Sequence, residues 1–346
     1  MRSARRAALG LLLLAGIVAA GLIGLREQAL EPGPAASAQS IKVASGSSLR
    51  TVFSQLADQG LLGHPRLFEL YVRYVNPATR GTAVAVRKGH YLIPAGASPL
   101  EILDQLQQGR VVLEQLTLVE GWSFTQLRAA LAAMPALEHT LGALNDAQLM
   151  KALGLAEQFP EGRFAPDTYR FAEDTSDREI LQLAYEAQSR TLQKAWESRD
   201  PDLPLASPYQ ALILASIIEK ETGLANERPR IAGVFVNRLR LGMRLQTDPT
   251  VIYGIRDHYD GNIRTRDLRT DTPYNTYTRA GLPPTPIAMP GKEAIWAAVH
   301  PEHTDALYFV AVGDGTGGHT FSATLEAHDQ AVHRYLERLR SAGPPP

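Results

Sequence analysis

The chain opens with an uncharged run from Ala7 to Leu25, preceded by Arg2, Arg5 and Arg6 and followed by Arg26. At about 1.5 Å of rise per helical residue the run covers roughly 28 Å, close to one hydrocarbon core. A secretory apolar region is usually about 7–15 residues, and the Ala36-Ser37-Ala38 triplet lies well past the end of this run. The pattern predicts a retained transmembrane helix rather than a cleaved signal. The leading arginines make residues 1–27 a cytoplasmic tip and anchor, with the body of the chain on the far side. In a bacterium that side is the periplasmic face of the inner membrane.

Residues 28–40 include "EPGPAASAQS", the composition of a flexible tether. Ordered pattern begins at Ile41. "GSSLRTVFSQL" (46–56), "GASPLEILDQL" (96–106) and "GWSFTQLRAAL" (121–131) each read Gly-x-Ser followed by apolar residues at helical spacing. Ser48, Ser98 and Ser123 are placed to cap helix N-termini, with Glu101 and Gln126 at the capping-box position and Pro99 at the first helical residue. "GHYLIPAG" (89–96) reads as a short strand running into the second copy. Residues 41–115 are thus expected to form a small α+β module. Three ordinary capped helices explain the repeat equally well; a strand–turn–helix unit of this size also resembles a LysM-like, carbohydrate-binding module.

From residue 116 the pattern is mainly helical. Helices are predicted over 176–199 (capping box Ser176 to Glu179), 206–223 and 227–242, the last with Pro229 in its first turn and Gly242 after its end. Then "MRLQTDPTVIYG" and "TPYNTYTRAGLPPTPIAMPG" lose all periodicity, and such irregular segments are where binding residues tend to lie. A strand over 305–312 and a helix over 324–340 close the fold, leaving 341–346 as a tail. The expected class is α+β.

Composition narrows the chemistry. Lys+Arg 35 against Asp+Glu 36 gives a net charge of −1, so no basic surplus argues for nucleic acid. There is no cysteine, which excludes disulfides, a thiol nucleophile and thiolate metal sites. "GDGTGG" (313–318) satisfies the dinucleotide-binding glycine pattern, but "HTFS" follows it instead of a helix, so a glycine-rich turn between strands is the better account. His300 and His303 are separated by Pro301, and His319, His328 and His333 complete no recognisable ligand set, so no metal site and no cofactor are expected.

The chemistry that remains is carboxylate chemistry. In "ASIIEKETG" (215–223), at about 100° per residue, Glu221 shares a face with Leu214, Ile217 and Ile218. Glu219 is rotated by roughly 200°, towards Leu212, Ala215 and Ser216. Burial in an apolar stripe raises a carboxyl pKa and produces a general acid. A structural Glu221 paired with an arginine such as Arg228 fits the same pattern. Glu219 is expected to be solvated or a hydrogen-bonded partner.

Several long stretches together resemble the membrane-anchored endolytic murein transglycosylases, the YceG-like family. These are "ASIIEKET", "ERPRIAGVFVNRLRLGMRLQTDPTVIYG", "YNTYTRAGLPPTPIAMPG", "YFVAVGDGTGGHTFSATLEAHDQAV" and the earlier "EGRFAPDTYRF". The resemblance covers essentially the whole chain and puts the family's catalytic glutamate on Glu221. "GMRLQTDPT" and "PYNTY" also echo, in order, motifs of lysozyme-like lytic transglycosylases. That likeness implies Gln246, Tyr274 and Asn275 as glycan contacts, with Asp248 and Tyr277 as lesser candidates; loop stabilisation is the alternative for each. Arg163 and Ala165 stand where the family often has bulky aromatic residues, which would alter a stacking surface.

What the resemblance implies is a lyase with a mainly helical, lysozyme-like and YceG-like catalytic domain over 116–340. It would cleave the MurNAc–GlcNAc bond of nascent peptidoglycan, leave 1,6-anhydroMurNAc ends and terminate strand elongation. Its partners would be peptidoglycan strands and the inner membrane, with cell-wall synthesis or division proteins as further candidates. A muramidase hydrolysing the same bond and a non-catalytic murein-binding scaffold are the alternatives.

Overall fold

A computed structural model of the chain describes residues 2–76, 78–79 and 84–342; the tail from 343 onward lies outside them. The chain folds into two compact units, Met1–Glu114 with Arg170–Asp174, and Gln115–Tyr169 with Thr175–Pro346.

The first unit begins with helix α1 (Arg2–Leu30). Its stretch Leu9–Leu30 is long and apolar enough to cross a membrane. Strand β1 (Gln39–Val43), helix α2 (Leu49–Asp58), helix α3 (Pro65–Leu70) with a π-helical turn (Tyr71–Val75), strand β2 (Gly89–Ile93) and helix α4 (Pro99–Gln108) follow. β1 and β2 pair antiparallel, with Ile41 opposite Tyr91 and Val43 opposite Gly89. Alternation sends Ile41, Val43, Tyr91 and Ile93 inward against Val52, Phe53, Leu56, Phe68 and Leu106.

The Gly-x-Ser repeat proves to be a local device. Gly46, Gly96 and Gly121 all have φ near +70° (76°, 66° and 78°), a region that costs glycine nothing. Two residues later Ser48, Ser98 and Ser123 each accept a backbone N–H of the next helix, and Ser98 and Ser123 form full capping boxes. Residues 31–38 have tether composition but are pinned in place. Gly33 N donates to Gly96 O at 3.1 Å and Gly96 N to Ala35 O at 2.9 Å. A Cβ on Gly33 would lie 2.4 Å from the Ala97 carbonyl oxygen, so only glycine fits that approach.

The chain enters the second unit along β3 (Leu113–Thr117). Helix α5 (Phe124–Ala132), the short strand β4 (Leu137–Glu138), helix α6 (Asp146–Ala152), strands β5 (Thr168–Ala172) and β6 (Thr175–Ser176) and helix α7 (Asp177–Glu197) come next. Helices α8 (Pro208–Glu221), α9 (Arg228–Arg240), α10 (Asp248–Gly254), α11 (Thr265–Arg269) and α12 (Lys292–Val299) lead to a hairpin of β7 (Tyr308–Ala311) and β8 (His319–Ser322), and α13 (Leu325–Ala342) ends the unit. The core is built round α8, in which every residue from Ala211 to Ile218 is buried, packed by α7, α9 and α12. The helix is apolar all round there, not along one stripe, because neighbours surround it. It stops at Glu221, where Thr222 turns extended, two residues before the glycine expected to end it. The glycines of "GDGTGG" turn the chain between β7 and β8, with Gly313, Gly315 and Gly317 at positive φ.

Candidate active site

The second unit carries an open groove of about 450 Å³, and Glu221, at the last position of α8, lies on its wall. Ending the helix at this residue takes the carboxyl out of the sealed core and leaves it half-buried at an edge. The side chain of Thr247 donates a hydrogen bond to Glu221 Oε1. Burial pushes the Glu221 carboxyl up to about 7, and the nearby charge of Asp248 adds to this; the Thr247 hydroxyl and the neighbouring His319 and Arg238 work against it. The group is therefore poised between acid and base near neutral pH.

Thr247 is held by a small hydroxyl network. Its N–H donates to Thr276 Oγ1 at 3.1 Å, Thr250 Oγ1 donates to Thr247 O at 2.7 Å, and the Thr250 and Thr276 hydroxyls share a 2.9 Å bond. Gln246 sits in the left-handed region at φ 50°, rare for a residue with a side chain. Arg238 of α9 fixes this bend. Its guanidinium donates to Leu245 O (2.8 Å), Leu307 O (2.6 Å) and Arg244 O (3.2 Å), tying the loop before α10 to the start of β7.

The rest of the groove is polar and aromatic. Tyr277 donates to Asp248 Oδ1 at 2.6 Å, and burial raises its own hydroxyl pKa well above the usual tyrosine range. Arg238 lies over the Tyr308 ring at 5.2 Å, and the His328 ring from α13 stacks on Tyr308 at 5.2 Å. Burial holds His328 below its ordinary pKa, which favours its neutral form.

Gln246, Asp248 and Tyr277 thus share the groove with Glu221, while Tyr274 and Asn275 do not line it. Tyr274 bonds Thr285 Oγ1 at 2.9 Å and packs edge-on against Tyr253. Asn275 is 1% exposed. It donates to the carbonyls of Asp267, Leu268 and Thr270 and accepts from Tyr277 N, so it shapes the loop that presents Tyr277. Arg163 lies over the Tyr209 ring at 4.3 Å, and neither it nor Ala165 reaches the groove.

The arginine pairing weighed for Glu221 is made by Glu219. Glu219 meets Arg228 at 3.2 Å and accepts Gly291 N–H at 2.8 Å, and its side chain is 5% exposed. It is a hydrogen-bonded partner and not a solvated one. Sequence reasoning did not single out Arg238, Thr247 or Glu161, and weighed His328 only as a metal ligand. Arg238 is the one arginine of "VFVNRLRLG" directed inward, and Thr247 lies between two residues that were singled out. Glu161, in "EGRFAPDTYRF", accepts from Phe124 N (2.8 Å) and Tyr253 OH (3.0 Å) away from the groove, and burial raises it to about 7. Among the described residues no cluster of three or more His, Asp or Glu side chains is placed to hold a metal ion.

A mainly helical unit thus presents a half-buried carboxyl, raised to about 7, at the wall of an open polar groove, surroundings that favour the protonated form of a carboxyl near neutral pH. Residues 41–334 match the YceG-like family model, and the chain belongs to that family. It is 32% identical over 315 residues to the endolytic murein transglycosylase of Bacillus subtilis, covering 86% of this chain and 84% of that one. To the endolytic murein transglycosylase of Streptococcus pneumoniae serotype 2 it is 27% identical, again over 86% of this chain but 58% of that protein. A crystal structure of a YceG-like protein from Listeria monocytogenes aligns with a TM-score of 0.52 at 31% identity, covering 85% of this chain and 98% of that one.

Proposed function

We propose that the protein is a membrane-anchored murein lytic transglycosylase with Glu221 as its single acid–base group. The observation that carries this reading is the Glu221 carboxyl in the groove, with a pKa of about 7. The names of the relatives supply the substrate class.

Protonated Glu221 donates to the glycosidic oxygen beyond N-acetylmuramic acid, and the bond from that oxygen to the anomeric carbon breaks. The sugar's own C6 hydroxyl attacks the anomeric carbon, and the Glu221 carboxylate takes the C6 proton. The products are a free GlcNAc end and a 1,6-anhydromuramic end, with no water consumed and the carboxyl restored. Thr247 occupies Oε1, which leaves Oε2 for the proton. Gln246, Asp248 and Tyr277 contact the glycan, with Tyr274 and Asn275 as the frame behind them. Helix α1 is the inner-membrane anchor with its amino end cytoplasmic. The β1–α2–α3–β2 order supports reading residues 41–115 as a LysM-like murein-binding module and 116–340 as the catalytic domain.

One observation favours a second reading. Asp248 shares the groove, and ordinary glycosidases use two carboxyls, so hydrolysis of the same bond is the rival. Digestion of purified glycan strands by the detergent-extracted full chain separates the two. An anhydro end is lighter by one water, and exclusively reducing ends would overturn the transglycosylase reading.

A further inference from the structure

Helix α3 of the first unit and the π-helical turn that continues it are apolar on two faces. Phe68, Tyr71 and Val72 face the core, as one amphipathic face requires. Leu67, Leu70 and Tyr74, at spacings of three and four, stand outward with 43%, 50% and 66% of their surface exposed. A second apolar stripe on a small unit needs an occupant.

Two observations say what it is. The first is continuity with the anchor. The end of α1 is built into this unit: Ala29 is buried in its core, Leu25 packs on it, and α1 touches α3 and the π-helical turn. Leu67 lines a groove together with Leu25 and Gln28 of α1, so the outward stripe starts where the anchor ends. The second is charge. Beside Leu70 and Tyr74 lies a hollow of about 550 Å³ that also presents Arg50, Arg66 and Arg73. Glu69 pairs with Arg50 at 3.1 Å and with Arg73 at 2.9 Å, while Arg66 makes no ion pair among the described residues. Three guanidiniums against one carboxylate leave the hollow positive.

An aromatic residue and leucines flanked by arginines, next to a membrane-spanning helix, match an interface of acyl chain and phosphate. We propose that this outward face of α3 and its π-helical turn lies on the outer leaflet of the membrane that α1 crosses, with Leu67, Leu70 and Tyr74 at the headgroup–acyl boundary and the arginine hollow holding the phosphates of anionic phospholipids. The inference rests on the reading of α1 as an anchor. It would fix the height and orientation of the first unit over the bilayer.

The absence of cysteine makes the test direct, because each engineered cysteine carries a unique spin label. Four full-length variants, Ile17→Cys, Leu70→Cys, Tyr74→Cys and Leu92→Cys, are labelled and reconstituted in phosphatidylcholine vesicles with and without phosphatidylglycerol. Collision rates with oxygen, which concentrates in acyl chains, and with an aqueous nickel chelate are compared. Leu92 serves as the control, an exposed leucine outside the stripe. Labels at 70 and 74 are expected to show an oxygen-to-nickel ratio several-fold above that at 92, rising with phosphatidylglycerol, and Arg66→Glu should blunt that rise. Ratios at 70 and 74 equal to that at 92, with the label at 17 immersed, would overturn the docking and leave the anchor standing. An aqueous label at 17 would overturn both. Protection of 70 and 74 only on adding glycan strands would assign the face to murein and overturn the lipid proposal.

Discussion

Two regions of the second unit each bury a carboxyl whose pKa rises to about 7, and they use it differently. Glu221 stands on the wall of an open groove, with one oxygen bound by Thr247. Glu161 is sealed, with both oxygens occupied, one by Phe124 N–H and one by Tyr253 O–H. Burial is the leading cause of the shift in both. A raised pKa therefore marks desolvation and does not by itself mark a catalytic group. Access to a substrate separates the two, and access comes from a helix that ends at Glu221. Glu219, two residues earlier, shows a third outcome: burial raises its carboxyl too, but Gly291 N–H and Arg228 pair with it and work against the rise.

The largest expected effect breaks the symmetry outright. Glu221→Gln removes the acid and keeps the shape. Strand cleavage is expected to fall by about 10²–10⁴-fold, the range for losing general acid–base catalysis. The melting temperature should stay close to that of the parent chain. Product release measured by mass spectrometry, beside a thermal melt, checks both. Full activity in this variant, with loss in Glu219→Gln, would move the assignment to the other glutamate.

Glu161 is expected to show the reverse. Glu161→Ala strands a buried N–H and a buried hydroxyl, at about 1–3 kcal/mol for each group left without a partner. The loss should appear in urea unfolding, and the protein that remains folded should still cleave glycan. Glu161 also carries a pH signature. Its folded pKa is raised above the unfolded value, so the native state binds more protons. The stability it contributes is complete below about pH 4.5 and is lost as pH rises through about 7. Glu161→Gln should flatten that part of the stability curve; an unchanged slope would place the titration elsewhere.

Much of this was legible in the sequence because it is local. The Gly-x-Ser repeat encodes a left-handed turn and a cap within three residues, and the structure forms it at Gly46, Gly96 and Gly121. The three long helices, the glycine turn between β7 and β8 and the apolar amino-terminal helix were readable for the same reason. The groove was less so. Periodicity located Glu221 on one stripe of α8, but the helix is buried all round, so its wheel could not separate 219 from 221. The position of the helix end does that. Tyr274 and Asn275 belong to the same irregular segment as Tyr277, and composition could not say which residues face the groove. That is settled by carbonyls near residue 270, to which Asn275 is bound. The pinning of residues 31–38 depends on the turn at 94–97, some sixty residues away, and no local pattern announces it.

The finest test asks whether the groove tunes its acid as the neighbours of Glu221 imply. The activity of the free enzyme should decline as pH rises through about 7, because the carboxyl must carry its proton to donate it. Asp248 raises that pKa by charge and Thr247 lowers it by its hydrogen bond. Asp248→Asn removes a like charge, makes ionisation easier and should move the declining limb of kcat/KM to lower pH. Thr247→Val removes a donor that favours the carboxylate and should move it to higher pH. Shifts of up to about one unit are expected, since one unit corresponds to about 1.4 kcal/mol between the two protonation states. Tyr277→Phe offers a further control: it frees the Asp248 oxygen it now binds while leaving the Asp248 charge in place, so its displacement of the limb should be smaller than that of Asp248→Asn. Opposite shifts for Asp248 and Thr247 would tie the limb to Glu221, because Glu161 bonds to neither residue. Shifts in the same direction, or none, would mean that the limb reports another group.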